Sequence, residues 1–379
     1  MKKVEMMKVK EYKILVLNPG STSTKLSLFH NEVNVKTVDV FHDSSVLKEF
    51  ETINDQLDFR MEVVYQFARD NQFELKELDA VAARGGSSYS VVSGTYEISK
   101  LLIEDTKSAK GGLYHASMLG VQMAQRIHEQ TGCKMYMSDP TVVDEYCDLA
   151  RVTGVDGITR RAISHALNLK VVARKQAEKL NRSYEECNLI VCHIDGGITV
   201  TAHQKGRMID GNDGGGGDGP FTPTRMGSMA ITDVVRLLWD KPKEEMMKLC
   251  SVTGGLSSYF GTSNSDVIHK LVEQEDPKAV RVWNAMIYQV CKQIGAMSTV
   301  LEGQVDGIVL TGGLLRFDDV KNQIEKRCGW IAPISVYAGE YEQEALASGA
   351  LHVLTGKKEA LQYSGKPVWD SFTDEHKIR

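Results

Sequence analysis

The sequence predicts an α/β protein built from two duplicated domains, and three observations predict it. Residues 13–29, KILVLNPGSTSTKLSLF, read as a buried strand, a polar turn and a second strand, and Val33 to Val40 adds a third. The same layout returns at 188–210, where NLIVCHIDGGITVTA and then MID form strands separated by glycine-bearing turns. The offset is roughly 175 residues, a period that marks a duplicated domain and not a solenoid repeat. Finally, 379 residues are too many for one small core, so length alone favours two domains.

Composition narrows the class. A charged fraction of 25% beside 42% hydrophobic residues is that of a water-soluble globular chain. A net charge of −5 with no basic tract argues against nucleic acid as a partner. No run of about 18 apolar residues occurs, so no membrane-spanning helix is expected. The opening MKKVEMMKVKEYK is basic but lacks a continuous apolar run, and so is not read as a signal peptide. Seven cysteines form no CxxC pair, and Cys192 and Cys291 sit in apolar context. They read as reduced thiols of a cytoplasmic protein, not as a disulfide frame or zinc site.

Taken in order, Ile14 to Leu17 is the first buried strand. The turn from Asn18 to Thr24 holds one glycine, one asparagine and four hydroxyls. Glycine lets the backbone approach an anion, and turn N–H groups and hydroxyls can converge on phosphate oxygens. Lys25 leaves the turn as a counter-charge. The spacing is not GxxxxGK[ST], and an ordinary hairpin with a polar loop is the alternative. From Val46 to Asn71 a helix is expected, with Met61, Val64, Tyr65 and Ala68 at helical spacing. Leu78 to Ala83 is a short apolar strand that delivers Arg84-Gly85-Gly86 at its carboxyl end. Sheets of this class bind ligands there, although taken alone a loop with a solvated arginine is the better reading. Val91 to Ile98 is strand-like and Lys100 to Ala109 helical. His115 to Gln130 is a second helix closed by Gly132, with His115 in a capping or packing role. Lys134 to Met137 is a strand ending in Ser138-Asp139-Pro140. Asp139 suits a metal or its water shell, or equally an Asp-Pro turn.

Irregular, glycine-bearing sequence at 151–161 marks the domain boundary. It gives an N-terminal domain over 11–152, completed by the C-terminal helix and tail over 341–379, and a second domain over 153–340. Ile163-Ser164-His165 opens a helix to Leu180 with Leu169, Val172 and Ala173 inward. His165 sits at its amino end, where N–H groups and the dipole favour an anion. Gly211 to Arg225, GNDGGGGDGPFTPTR, is a loop whose length makes it functional or disordered. A helix over Met229–Leu238 and a Gly/Ser-rich loop over Ser251–Thr262 follow. Lys278 to Leu301 is a long helix with Val282, Ala285, Met286, Val290, Ile294 and Met297 inward. Gly307 to Leu310 is a strand ending in Thr311-Gly312-Gly313, a turn fit for close approach of a nucleotide. Pro333 to Tyr337 is a last strand. Glu340 to Leu354 is an acid-led helix closed by Gly356, and the tail after Lys357 is expected to be loosely held.

Strand–glycine-turn–strand units in two halves, with a late Gly-Gly turn, resemble the actin-like ATPase fold: two ribonuclease H-like domains with a cleft between them. The strings NPGSTSTK, ARGG, SDPTVVDE, SHALNLK, HIDGGITVTAHQKGRMID, GDGPFTPTR, LTGGL and EALASGALHVL occur in the order seen in butyrate kinases. These belong with the acetate kinases among carboxylate phosphotransferases. The resemblance covers about residues 12–356. It implies ATP/ADP and a small-molecule carboxylate as substrates, Mg2+ as cofactor, and a homodimer or higher homo-oligomer.

The resemblance also implies roles. Asn18 and the hydroxyls of Ser21, Thr22 and Ser23, with Lys25, face the phosphates. Arg84 and Arg225 match arginines that bind carboxylate and developing phosphoryl charge. Asp139 matches an acid near magnesium and the attacking carboxylate, and His165 and His193 match two phosphate-side histidines. Gly196, Gly197, Gly312 and Gly313 are the nucleotide-side turns, and Glu342 with Asn18 is linked to the metal. The implied reaction is reversible in-line transfer of the γ-phosphoryl group to a short-chain or branched, butyrate-like carboxylate. A carboxylate is already anionic and needs no general base, so the site must supply cations and donors. A sugar kinase would need a base for its hydroxyl.

Three departures stand out. The family usually has glycine where Asp195 stands, NNALDGEGPF where this chain has NDGGGGDGPF, and Arg-Ser-Gly where it has Arg225-Met226-Gly227. They leave a rival expectation, a divergent, weakly active nucleotide-binding paralogue with a regulatory role.

Overall fold

The computed structural model describes residues 10–372. They form two compact units. One runs to Pro140 and takes in Glu342–Val368; the other comprises Thr141–Tyr341 with 369–372.

The sheet of the first unit contains β1 (Lys13–Pro19), β2 (Ser23–His30), β3 (Val33–Phe41), β4 (Ala80–Ala83), β5 (Thr95–Glu97) and β6 (Lys134–Ser138). Its spatial order is β3-β2-β1-β4-β6-β5. β1, β2 and β3 form an antiparallel meander, whereas β1, β4 and β6 run parallel. Central parallel strands are covered on both faces, and Ile14 to Leu17 are accordingly apolar without alternation and wholly buried. Helices Met118–Thr131 and Glu342–Leu354 both pack on β1, β4 and β6.

The second unit repeats this plan with β7 (Asn188–Ile194), β8 (Ile198–Gln204), β9 (Arg207–Gly211), β10 (Gly307–Gly312) and β11 (Ile334–Ala338), in the order β11-β10-β7-β8-β9. Taken from the other edge, three antiparallel strands are followed by two parallel ones, as in β3-β2-β1-β4-β6. This is the duplicated arrangement of the actin-like ATPases. Helix Ala166–Lys179 packs on β7 and β10 and buries Leu169, Val172 and Ala173 as the spacing predicts. The long helix Pro277–Val300 starts at an Asp276 cap, whose carboxylate accepts from Ala279 N, followed by proline at its first position. It buries Val282, Trp283, Met286, Val290, Ile294 and Met297.

Several expectations are corrected. The stretch 46–71 is not one helix. Ser44–Leu47 is followed by a fresh start at Thr52, whose hydroxyl and N–H both donate to Asp55, and the main helix is Leu57–Asp70. Only Thr95–Glu97 of the run 91–98 is strand, because Ser93 and Gly94 bend to bind Asp139. The helix expected from His115 begins at Met118. Residues 251–262 are not a loop throughout, since Gly255–Phe260 is helical around the buried Leu256. Helices Lys243–Ser251, Ser265–Glu273 and Asp318–Cys328 were not anticipated. The described part of the tail, up to residue 372, is tied down, and residues 373–379 lie outside the described residues. Leu361 exchanges backbone hydrogen bonds with Thr95 and Glu97, and the Tyr363 hydroxyl donates to Asp105 at 2.9 Å. No helix among the described residues is long and apolar enough to cross a membrane.

Candidate active site

In the first unit, the carboxyl ends of β1, β4 and β6 lie side by side, with Leu17 opposite Ala83 and Ala83 opposite Met137. Each strand therefore delivers a polar residue to the same sheet edge: Asn18, Arg84 and Asp139. The Asn18 amide donates to Glu342 Oε2 at 2.7 Å, and its oxygen accepts from Arg84 Nη1 at 3.1 Å. Arg84 Nη1 also reaches Glu342 Oε2 at 3.1 Å. Glu342 is the first residue of its helix, where free N–H groups and the dipole favour a carboxylate. Three residues singled out in distant parts of the sequence thus form one hydrogen-bonded cluster.

Asp139 is adjacent in the sheet but held separately. It adopts a φ of 37°, uncommon for a residue with a side chain. Its Oδ1 accepts from Ser93 Oγ at 2.6 Å and Gly94 N at 2.8 Å. The strand end, the bend before β5 and Pro140 together fix this carboxylate.

The hydroxyl turn is tighter than the sequence implies. Asn18 belongs to β1 and Ser23 and Thr24 to β2, leaving Gly20 to Thr22 as the connection, closed by Gly20 N donating to Ser23 O. Two residues outside the expected phosphate-binding set support it. Arg60 is fully buried beneath the turn, with Nη1 donating to Ser23 O at 2.8 Å and Thr24 Oγ1 at 3.1 Å. Burial lowers its pKa to about 10, which leaves it cationic at neutral pH. His115 Nδ1 accepts from Ser117 N, which places the proton on Nε2, and Nε2 donates to Ser21 Oγ at 3.1 Å. Thr22 O accepts from His42 N. Lys25 stands opposite Asn18 in the register, with its ammonium 3.6 Å from Asp39 of β3.

In the second unit, β7 ends in His193-Ile194 and turns through Asp195-Gly196-Gly197. The ring of His165, the residue just before helix Ala166–Lys179, stacks on His193 with centroids 4.1 Å apart. His165 Nδ1 is 2.6 Å from Thr199 Oγ1 of β8. Asn168 donates to His193 Nδ1 at 2.9 Å and to Thr311 Oγ1 at 3.1 Å, so the His193 proton sits on Nε2.

Arg225 closes this group from the glycine-rich loop. Thr222 and Thr224 hydroxyls both donate to Gly196 O, while Arg225 N donates to Thr222 Oγ1. These bonds pin the loop to the turn and lay the guanidinium over Gly197. A side chain at 197 would lie 2.3 Å from Arg225 Nη1 and 2.8 Å from His165 Cε1, so anything larger than glycine would displace these two side chains. Arg225 Nε and Nη1 are buried without a hydrogen-bond partner. Burial lowers the Arg225 pKa from its ordinary value, with Asp213 acting in the opposite sense. A buried guanidinium with unsatisfied donors is a cradle for an anion.

The Gly312-Gly313 turn ends β10, beside β7. Gly312 has a φ of 108°, and a methyl group there would lie 2.4 Å from Ile194 O. Asp195 bridges the two turns, accepting from Gly196 N at Oδ1 and from Gly313 N at Oδ2, each at 2.8 Å. In the acidic loop, the Asn212 amide pairs with Val200 N and Ile198 O as an added strand residue would, and Asp213 Oδ1 accepts from Gly215 and Gly216 N.

Residues 148–326, all within the second unit, match the model of the acetokinase family. Solved structures share the fold. A propionate kinase from Francisella tularensis subsp. tularensis SCHU S4 aligns with a TM-score of 0.74 at 17% identity, over 89% of this chain and 98% of that one. Acetate kinase of Porphyromonas gingivalis gives 0.73 at 17%, over 90% and 100%. Acetate kinase of Entamoeba histolytica gives 0.72 at 16%, over 89% and 98%. Likeness at these identities concerns the fold. The regulatory alternative draws no support from these matches.

Proposed function

With an acetokinase-family stretch at 148–326 as premise, we propose that this chain is an ATP-dependent carboxylate kinase. The carboxylate oxygen attacks the γ-phosphorus of ATP, the bond from that phosphorus to the β-bridging oxygen breaks, and ADP and an acyl phosphate form. No proton moves. The reverse reaction uses the same groups. The observation that carries this reading is the buried, unsatisfied edge of Arg225 over Gly197, beside the stacked His165 and His193. Donors fixed before substrate arrives are what phosphoryl transfer requires, because its barrier is lowered by positioning and charge stabilisation.

In this proposal the second unit serves the nucleotide. His193 and the turns at Gly196-Gly197 and Gly312-Gly313 meet the phosphates, and Arg225 and His165 meet charge that grows during transfer. The first unit supplies Arg84 for the carboxylate and the Ser21, Thr22, Ser23 and Lys25 region for phosphate, with Asp139 near the acceptor. Magnesium neutralises phosphate charge when bound. The described residues hold no group of three His, Cys, Asp or Glu side chains able to bind a metal. The donor set therefore suits an ion that enters on the nucleotide and keeps water ligands. Asn18 and Glu342 would meet that water shell, since Glu342 Oε2 already accepts from Asn18 and Arg84.

The preferred acid is proposed to be a C4 or C5 chain, straight or branched, on the likeness of SDPTVVDE and GDGPFTP to butyrate kinase sequence. The reverse reaction tests the proposal. Butyryl phosphate and magnesium-ADP should yield ATP detectable with luciferase, and no ATP from any acyl phosphate would refute it.

A further inference from the structure

We infer that Asp195 is a resident anion in the phosphate site that makes nucleotide binding depend on magnesium. The inference rests on the proposal that the Gly196-Gly197 and Gly312-Gly313 turns receive the nucleotide phosphates.

Asp195 follows the last residue of β7, and its N–H closes the turn onto Gly197 O at 3.0 Å. Its carboxylate then reaches across to the neighbouring parallel strand and accepts from Gly313 N, while its other oxygen accepts from Gly196 N. These N–H groups stand at the carboxyl ends of two adjacent parallel strands, where such sheets bind ligands. Backbone N–H groups in glycine turns are anion donors. A carboxylate seated on them is doing what a phosphate oxygen would do.

It does not hydrogen-bond to Arg225 Nε or Nη1. Its oxygens go to the two glycine N–H groups, and Arg225 Nε and Nη1, packed on Gly197, have no partner. The turn is thus flanked by a carboxylate and by an unsatisfied guanidinium. A phosphate entering without metal meets the Asp195 charge at close range. One entering with Mg2+ has that charge balanced, and the carboxylate can accept from metal-bound water. A unit charge a few ångströms away, in a partly screened site, changes affinity by about 10- to 100-fold.

The test measures ADP affinity by calorimetry, in EDTA and in saturating magnesium, for the parent and for Asp195→Asn. The amide oxygen still accepts from Gly313 N–H but carries no charge. Metal-free affinity should rise about tenfold or more, while affinity with magnesium should stay within about threefold. Asp195→Gly, checked for an unchanged melting temperature, should also bind metal-free ADP more tightly. An unchanged or weaker metal-free affinity in Asp195→Asn would overturn the inference, leaving Asp195 as a spacer between two turns. A parent that binds ADP in neither condition would overturn the nucleotide reading itself, and this inference with it.

Discussion

The imidazole of His165 lies stacked on that of His193, with planes 22° from parallel. The two rings are anchored from different elements, His165 by Thr199 of β8 and His193 by Asn168 of the helix that His165 precedes. Asn168 also donates to Thr311 of β10 and accepts from Tyr341 N after β11. One buried amide therefore sets the position of several elements at this edge of the second sheet. His165→Ala should lower kcat far more than it weakens ATP binding. Steady-state kinetics beside direct ATP titration checks this, and a near-parental kcat would make the stack structural.

Arg225→Ala should be more severe. Losing a preorganised donor of this kind costs about 10²–10³ in rate. Arg225→Lys keeps the charge but not the planar fork, and should recover only part of the loss. Weaker ATP binding with an unchanged kcat would instead point to ground-state binding.

Gly312→Ala tests the β10 turn. A side chain there meets Ile194 O at 2.4 Å and must adopt a φ of 108°. The substitution should destabilise the protein by at least about 1–3 kcal/mol. Urea unfolding measures this directly, and an unchanged midpoint would contradict the geometry.

The Arg84–Glu342 pair joins residues 258 positions apart, with side chains 18% and 6% exposed. Arg84→Ala removes a cation bonded to a largely buried carboxylate, and should cost about 1–3 kcal/mol. The double variant Arg84→Ala, Glu342→Ala should lose less than the sum of the single losses, because both single variants break the same contact. Additive losses would show that the contact carries no coupling.

His203 gives a pH dependence. It is fully buried between Tyr184 OH, 2.6 Å from Nδ1, and Thr201 Oγ1, 2.8 Å from Nε2. Burial, then Lys170 and Arg174, hold its folded pKa well below 6.5. An unfolded chain takes up a proton near 6.5 that the folded chain refuses. The stability linked to His203 is therefore complete above that pH and is lost as pH falls below it, by up to about 1.4 kcal/mol per pH unit. His203→Gln should flatten that acid-side loss in urea titrations at pH 7.5 and 5 or so. An unchanged slope would contradict the assignment.

The strands were legible because Ile14 to Leu17, Leu189 to Ile194 and Gly307 to Leu310 are apolar runs closed by glycine or polar turns. The duplicated topology followed from their repetition. Short helices such as Gly255–Phe260 escaped because one buried leucine among glycines and serines leaves no helical period. Asn18, Arg84 and Glu342 were named from sequence, yet their contact depends on strand register and a helix from the far end of the chain. Arg60 was missed although it sits beside the inward-facing Met61, because a charged residue on a helix is ordinarily solvated. Asp195 stood out where the sequences this chain resembles usually carry glycine, but its bond to Gly313 depends on β7 and β10 being neighbours.

We propose that this chain phosphorylates a short carboxylate. An acyl-hydroxamate assay with ATP and magnesium across C2 to C6 acids, straight and branched, tests it most directly. Hydroxamate should form with C4 or C5 acids in clear preference to acetate, and its formation should be lost in Arg225→Ala. Robust turnover of acetate with none of the longer acids would contradict the substrate assignment, and no turnover of any acid beside tight ATP binding would contradict the enzyme itself.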